Sequence, residues 1–281
     1  MLPTFVIGLR EGVEASLIVG IVAAFLRQRG AGREMRWVWS GVVLAVALCA
    51  AAAVGLEIVD ENLPQREQER LETVIALIAV AMVTSMIVWM ARHARGIKGE
   101  LEGAASSALA EGSMWALVGM AFLAVLREGL ETAVFLLSAF QASTDRGAAV
   151  AGAILGIGVA IVIGWLIYRG GMRINLTRFF TVTGLVLVLV AAGLVAFAAH
   201  TAHEAGWLDV AQGQLVDLSG VIVPGSAVSA LVTGVLGVQP KPTVAEGIGW
   251  LIYFAPVAAF VIVSSRRKQP SRPAPAVAEA A

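Results

Sequence analysis

Charged residues are scarce in this chain, at 14% of 281 residues, against about 25% in a typical soluble domain. Acidic and basic residues balance at 20 each, so no excess of positive charge indicates a nucleic-acid partner. The single cysteine, Cys49, excludes an internal disulfide and is interpreted as a small packing residue. With 58% hydrophobic residues and a mean hydropathy of +0.84, the composition indicates an integral membrane protein surrounded by lipid.

Seven apolar stretches are long enough to cross a bilayer as helices, because about 20 residues span the hydrocarbon core. No basic segment or small-residue cleavage site precedes the first stretch, so we expect a retained span rather than a signal peptide. We therefore expect an all-α polytopic membrane protein with seven transmembrane helices. The expected spans are 3–26, 38–58, 72–91, 115–140, 148–168, 179–200 and 246–264.

The basic residues predict the orientation of these spans. Most of the 20 fall in the connections after the first, third and fifth spans and in the tail over 265–281. Because cytoplasmic connections are enriched in lysine and arginine, the N-terminus is expected outside and the C-terminus in the cytoplasm. The tail is rich in proline and alanine and is expected to be disordered.

A long outer loop over 201–245 is expected between the last two spans. Within it, residues 218–238 are apolar enough for an eighth span, but Pro224 and several glycines argue against a plain helix. An eighth span would also place the basic tail outside, against the distribution of charge. We therefore expect an interfacial or re-entrant segment.

Two of the expected spans carry the same charged motif. REGVE occupies 10–14 in the first span and REGLE occupies 127–131 in the fourth, 117 residues later. We infer that residues 1–100 and 101–200 are two three-helix repeats, with the seventh span outside them. Because three is odd, the second repeat enters the membrane from the opposite side. Inverted repeats of this kind place a substrate site near the midplane in secondary transporters.

The spacing of the motif places its charges on one face of a helix, at about 100° per residue. Arg10 and Glu14 are four residues apart and can pair, while Glu11 and Glu14 are three apart and can reach one ion. Gly12 lets another backbone approach closely. The second copy supplies the same set: Arg127, Glu128, Gly129 and Glu131.

The energetics of burial favour a binding role for these charges. A charged residue at the centre of a membrane helix costs about 2.5–3.5 kcal/mol, so the six groups must face one another or water. A purely structural network is the plainer explanation, but buried ion pairs stabilise a fold only weakly. Four glutamates outnumber the two charge-balancing arginines, and this surplus favours a cation. Oxygen ligands indicate a hard ion without separating iron from manganese, calcium or protons.

The paired R-E-G-x-E motifs in spans one and four, with an outer N-terminus, resemble the oxidase-dependent iron transporter family. That family includes the yeast-type high-affinity iron permease and the bacterial permease of the three-component ferrous-iron uptake system. WMARHARGIKGEL at 89–101 and GLVAFAAHTAHEAG at 193–206 resemble its bacterial members. The similarity covers nearly the whole chain.

The resemblance implies a protein of the cytoplasmic membrane that carries iron as its substrate, with no bound organic cofactor. It implies that the four motif glutamates translocate the metal. It also implies partners outside the membrane: a cupredoxin-like iron-binding protein and a haem peroxidase in bacteria, or a multicopper oxidase in fungi. In both cases iron is expected to be handed over as Fe(III). Some relatives are described as lead permeases.

Further metal candidates lie near the outer surface, although a solvated loop or helix end explains each of them more simply. The acidic stretch DENLPQREQERLE at 60–72 is expected to form an outer loop that gathers cations. HTAHE at 200–204 places two histidines on one face at the end of the sixth span. The candidates are His200, His203, Glu204, Glu246, Glu61 and Glu72.

Three other functions compete with iron transport. A proton-coupled carrier, or a carrier of another divalent cation such as Mn or Pb, could use the same carboxylates. An intramembrane enzyme is disfavoured because the chain has no H-E-x-x-H motif and no intramembrane Ser/Lys or Asp/Asp pair. A seven-span photoreceptor would need a lysine in the last span, and residues 246–264 contain none.

Overall fold

Seven helices dominate the part of the chain that the computed structural model describes, namely residues 1–28, 34–93, 114–143, 145–169, 176–220, 222, 232–233 and 236–266. No strand occurs among these residues. Each expected span lies within one helix, so the all-α prediction is confirmed for the described residues. The helices are α1 (Leu2–Gln28), α2 (Glu34–Glu61), α3 (Gln65–His93), α4 (Met114–Gln141), α5 (Arg146–Tyr168), α6 (Leu176–Glu204) and α7 (Val244–Arg266).

Five of these helices, α2, α3, α5, α6 and α7, are long and apolar enough to cross a membrane. α1 and α4 have 27 and 28 residues, which corresponds to about 40 Å at 1.5 Å per residue. Their length suffices for a crossing, but each carries the three charges of its motif. The chain is therefore a polytopic membrane protein with five apolar helices and two helices, α1 and α4, that carry the charged motifs.

The acidic stretch 60–72, expected as an outer loop, is almost entirely helical, and that expectation is wrong. α2 continues to Glu61 and α3 begins at Gln65, so only residues 62–64 connect them. The Pro64 carbonyl accepts hydrogen bonds from the backbone N–H groups of Glu67 and Gln68, at 2.8 and 3.0 Å, in the first turn of α3. Hydropathy locates the apolar part of a helix but not the polar turns beyond it.

The helices pack across the two halves of the sequence. α1 packs most extensively against α5, α2 packs against α4, and α3 packs against α6. α7 lies on α6 and also reaches α3. Among the five apolar helices, α6 is the most buried and α3 follows. The bundle therefore has α3 and α6 inside and α2 and α5 towards its periphery.

Small residues allow the close approach of α1 and α5. A side chain at Gly152 would collide with the Met1 carbonyl oxygen, and one at Gly156 would collide with that of Phe5. Backbones can come this near only where no side chain intervenes. The buried positions of α5 form one continuous stripe: Ala149, Gly152, Ala153, Gly156, Ala160 and Gly164.

The chain between α6 and α7 folds back on itself. The Leu215 N–H donates to the Pro242 carbonyl at 2.9 Å, and the Leu218 N–H donates to that of Pro240 at 2.8 Å. Gln214 and Thr243 form an isolated antiparallel bridge beside them. These contacts join the two ends of the connection above the bundle.

Part of the segment expected to be re-entrant reaches deep along α6. Of residues 218–238, positions 221, 223–231 and 234–235 lie outside the described residues. Gly237 lies against α6, where a Cβ added to Gly193 would be 2.8 Å from the Gly237 Cα. Gly193 is three turns before the end of α6 at Glu204, about 16 Å along the axis. This end of the segment is thus packed within the bundle rather than above it.

Candidate metal site

The motif glutamates come together where α1 contacts α4. One carboxylate oxygen each from Glu11, Glu128 and Glu131 lies within 4.8 Å of the other two. Among the described residues this is the one group of three or more acidic, histidine or cysteine side chains with ligand atoms so close together. A single cation placed between the oxygens could contact all three carboxylates.

Two of these carboxylates are deeply buried and incompletely paired. Glu11 is 1% exposed and Glu128 is 8% exposed. The Oε2 atom of each has no hydrogen-bond partner in the described part of the chain. A buried carboxylate oxygen without a donor is costly, because nothing replaces its lost hydration. The donor set therefore suits a positively charged ligand.

Arg10 joins the two glutamates of its own motif. Its Nη1 atom lies 3.3 Å from Glu11 Oε1 and its Nη2 atom lies 3.3 Å from Glu14 Oε1. The Glu14 contact is an ion pair whose angles fall outside hydrogen-bond geometry. Glu14 is thus held by Arg10 and does not enter the group of three, although the sequence predicted that all four glutamates would converge.

Arg127 has a different environment from Arg10. The Arg127 side chain is 66% exposed, whereas that of Arg10 is 1% exposed. Its Nε atom donates to Glu131 Oε1 at 3.0 Å, which is the expected pairing of residues four apart. The two motifs are therefore identical at four positions but differ in burial and in which glutamates their arginines hold.

The motif glycines lie at the contacts that bring α1 and α4 against their neighbours. A Cβ on Gly12 would be 2.6 Å from the Ala160 Cβ on α5. A Cβ on Gly129 would be 2.5 Å from the Cys49 Sγ on α2. A larger residue at either glycine would displace its helix, and the adjacent glutamates with it.

These two glycine contacts are related by similar shifts along the sequence. Gly129 follows Gly12 by 117 residues, and Ala160 follows Cys49 by 111. The same two shifts relate another pair of contacts: Gly41 lies against Val118, and Gly152 lies against Met1. Contacts between α1 and α5 thus have counterparts between α4 and α2.

His200 lies between two carboxylates near the end of α6. Its Nδ1 atom is 3.1 Å from Glu246 Oε1, and its Nε2 atom is 3.6 Å from Glu204 Oε1. The imidazole therefore connects the end of α6 to the start of α7. His203 instead places its Nδ1 atom 2.9 Å from the Leu208 carbonyl oxygen. The two histidines, expected to share a face, thus have different neighbours.

Glu72 is separate from the central group. It is partly buried in α3 and does not belong to the group of three carboxylates. The side chain of the other acidic candidate, Glu61, lies outside the described residues.

Several polar contacts between helices were missed at the sequence level. Thr73 and Thr201 share a hydrogen bond of 2.7 Å between α3 and α6, and Thr84 and Tyr253 share one of 2.8 Å between α3 and α7. The spacing of residues in the sequence does not reveal which partner a single hydroxyl in an apolar run contacts. A search for polar residues on otherwise apolar helix faces would have found the positions, but not the pairs.

Comparison with known proteins places the chain in a family. The family model described as "Iron permease FTR1 family" matches residues 1–267. Similar proteins named "Ferrous iron permease EfeU" occur in three bacteria. The protein of Escherichia coli O6:K15:H31 (strain 536 / UPEC) is 43% identical over 265 residues, covering 93% of this chain and 96% of the relative.

The protein of Shigella sonnei (strain Ss046) is 43% identical over 258 residues, covering 91% and 93% of the two chains. That of Yersinia pestis is 42% identical over 258 residues, covering 91% of each. No solved structure matches the chain. The relatives are named permeases, and several apolar helices agree with a multi-pass protein of the plasma membrane. The chain belongs to the iron permease FTR1 family.

Proposed function

We propose that this chain moves iron across the cytoplasmic membrane through the group formed by Glu11, Glu128 and Glu131. The observation that carries the proposal is the approach of their three carboxylate oxygens to within 4.8 Å of one another. Carboxylate oxygens are hard ligands and suit a hard cation such as iron. Glu14 is the fourth ligand of the path, engaged when Arg10 releases it.

The transported form in this proposal is Fe(III). The similar proteins are named ferrous iron permeases, so Fe(II) is the form on which the uptake system is expected to draw. A partner outside the membrane would oxidise it, passing the electron from each Fe(II) to dioxygen or peroxide. A cupredoxin-like iron-binding protein with a haem peroxidase, or a multicopper oxidase, fits this role. An all-carboxylate site suits the harder Fe(III) ion better than Fe(II).

The transport path in this proposal is built from two inverted repeats, with seven membrane crossings and the N-terminus outside. The equivalent contacts of Gly12 with Ala160 and Gly129 with Cys49 support the repeat. In α1 and α4, the charges of Glu11 and Glu128 are turned away from lipid, which supports a crossing by both helices. Transport then exchanges an outward-open and an inward-open state around the carboxylate group.

Metal competition in proteoliposomes tests this function. Uptake of radioactive iron would be measured with Fe(III) citrate, with Fe(II) under ascorbate, and with a tenfold excess of Mn(II) or Pb(II). We expect Fe(III) to enter fastest and the other metals to leave its uptake nearly unchanged. Strong inhibition of iron uptake by Mn(II) or Pb(II) would instead favour a general divalent-cation carrier, and faster entry of Fe(II) would remove the need for an oxidase.

A matched variant separates transport from leakage. Glu128→Gln preserves the shape of the side chain and removes its charge, whereas Glu67→Gln changes an exposed carboxylate at the start of α3. Iron should enter vesicles containing the Glu67→Gln variant as fast as the parent and should not enter those containing Glu128→Gln.

A further inference from the structure

A cavity lies at the end of the bundle where α1 begins and α4 ends. Its volume is about 70 Å³, which is enough for more than one water molecule. The walls come from α1, α4 and α6, and Thr233, Gly237 and Gln239 contribute one side. The residues that matter here are Thr4, Ala139, Ala142, Gly193, Thr233 and Gln239.

The cavity is in line with the carboxylate group along α1. Thr4 lines the cavity, Ile7 lies one turn further into the bundle, and Glu11 lies one turn beyond Ile7. Spacings of three and four residues keep side chains on the same face of a helix. A path along this face therefore leads from the cavity, past Ile7, to a motif glutamate.

The same order recurs along α4. Ala139 lines the cavity, Phe135 lies one turn further in, and Glu131 lies one turn beyond Phe135. The two helices run in opposite directions, so residue numbers rise from the cavity to the glutamate along α1 and fall along α4. Both helices that supply the carboxylates thus place one apolar side chain between the cavity and the charges.

The apolar layer is closed. Ile7 is 1% exposed and Phe135 is 0% exposed. They belong to one buried cluster together with Leu187 of α6. A hydrated cation does not cross an intact apolar constriction, because the constriction excludes the water that the ion carries. The carboxylate group is therefore sealed from the cavity in this state.

One polar group on the cavity wall is unpaired. The Thr233 Oγ1 atom is buried and has no hydrogen-bond partner in the described part of the chain. A buried polar group without a protein partner ordinarily binds water. The cavity is therefore suited to a hydrated ligand.

We propose that the cavity is a waiting chamber for a hydrated cation, separated from the carboxylate group by a gate made of Ile7 and Phe135. The proposal rests on the proposed function in taking iron as the cation and the Met1 end of α1 as its point of entry. The side chains that line the chamber are uncharged. The ion keeps its water shell there and loses it at the carboxylates, once the two apolar side chains separate.

Cysteine accessibility tests the gate without requiring transport. Cys49→Ala removes the single native thiol, and Ala139→Cys or Ala15→Cys is then added to the full chain in spheroplasts. Ala139 lines the cavity, whereas Ala15 lies one turn beyond Glu11 on α1. A small cationic thiosulfonate that cannot cross membranes should label the Ala139→Cys variant at least tenfold faster than the Ala15→Cys variant.

Opening the gate should remove that difference. Phe135→Ala is expected to raise labelling of the Ala15→Cys variant at least tenfold, with little change at position 139. Ile7→Ala provides a second opening if the Phe135 variant does not fold. Leu26→Ala is the matched control, because Leu26 is 0% exposed in a separate apolar cluster. It should leave the Ala15→Cys variant protected.

The gate is overturned if the Ala139→Cys and Ala15→Cys variants label equally fast while Ile7 and Phe135 are intact, or if a folded gate variant leaves position 15 protected. Failure of the proposed function has a different signature. It appears as absent iron uptake by the parent, or as unchanged uptake in Glu128→Gln, whatever the labelling pattern.

Discussion

One carboxylate oxygen of Glu11 lies within 4.8 Å of one of Glu128, and the Oε2 atom of each residue is buried without a hydrogen-bond partner among the described residues. The residues occupy the same position in two motifs 117 residues apart. In the proposed function, one cation between the two carboxylates compensates the charge of both.

Glu11→Gln and Glu128→Gln are each expected to lower iron uptake at least a hundredfold. Glutamine preserves the side-chain volume and removes the negative charge that attracts the ion, and Arg10 keeps its ion pair with Glu14 in the Glu11→Gln variant. Radioactive iron uptake, normalised to monodisperse protein in detergent, measures the effect. Near-normal uptake by a well-folded double variant would show that the group is not the transport site.

Replacing the two motif arginines with lysine is expected to have unequal effects. Arg10 is 1% exposed and pairs with Glu11 through Nη1 and with Glu14 through Nη2. The single ammonium group of lysine in Arg10→Lys cannot reproduce this arrangement of two nitrogens. Uptake should fall at least tenfold. Arg127 is 66% exposed and, in the described part of the chain, forms its ion pair with Glu131, so Arg127→Lys should lower uptake less than threefold. Equal losses in the two variants would contradict this difference.

Gly129→Ala is expected to destabilise the protein by about 1–3 kcal/mol, because the added methyl would collide with the Cys49 Sγ. Cys49→Ala removes that atom and should restore most of the loss in the double variant. Gly119→Ala is the control, since no atom lies within 4 Å of a Cβ at that position of α4. Thermal unfolding in detergent measures all four variants, and a double variant no more stable than Gly129→Ala would exclude this collision as the cause.

His200→Ala is expected to cost about 1–3 kcal/mol of stability, because it leaves the 4% exposed carboxylate of Glu246 without its partner. Uptake per folded molecule should stay within twofold of the parent, since the imidazole connects two helices and lies away from the central group. His203→Ala is the comparison and should leave the unfolding temperature nearly unchanged. A large loss of uptake without a loss of stability would instead indicate a metal ligand.

Hydropathy located the seven helices because the hydrocarbon core imposes a minimum apolar length on each. It placed their ends poorly where polar turns continue the helix, as in α3, which begins at Gln65 rather than 72. Such turns are stabilised by helix-forming residues and ion pairs, of which Arg70 with Glu67 is one. Apolar length carries no information about them.

Spacing predicted the arginine–glutamate pairs within each motif because these contacts are local. The pairing of Arg10 with Glu14 and of Arg127 with Glu131 follows from positions four residues apart. The separation of Glu14 from the other three glutamates depends on how α1 and α4 pack, as does the exposure of Arg127. The spacing of a five-residue motif does not indicate how distant helices pack against one another.

The pairing of helices across the two halves also determines the order in which the protein can be assembled. α1 leaves the ribosome long before its main partner α5 has been made, and α2 likewise precedes α4. Until then, the charges of Arg10 and Glu11 have no second motif to face, so a newly inserted α1 must stay beside water or the insertion machinery. The first three helices therefore reach their final packing only after their partners among the last four have been made.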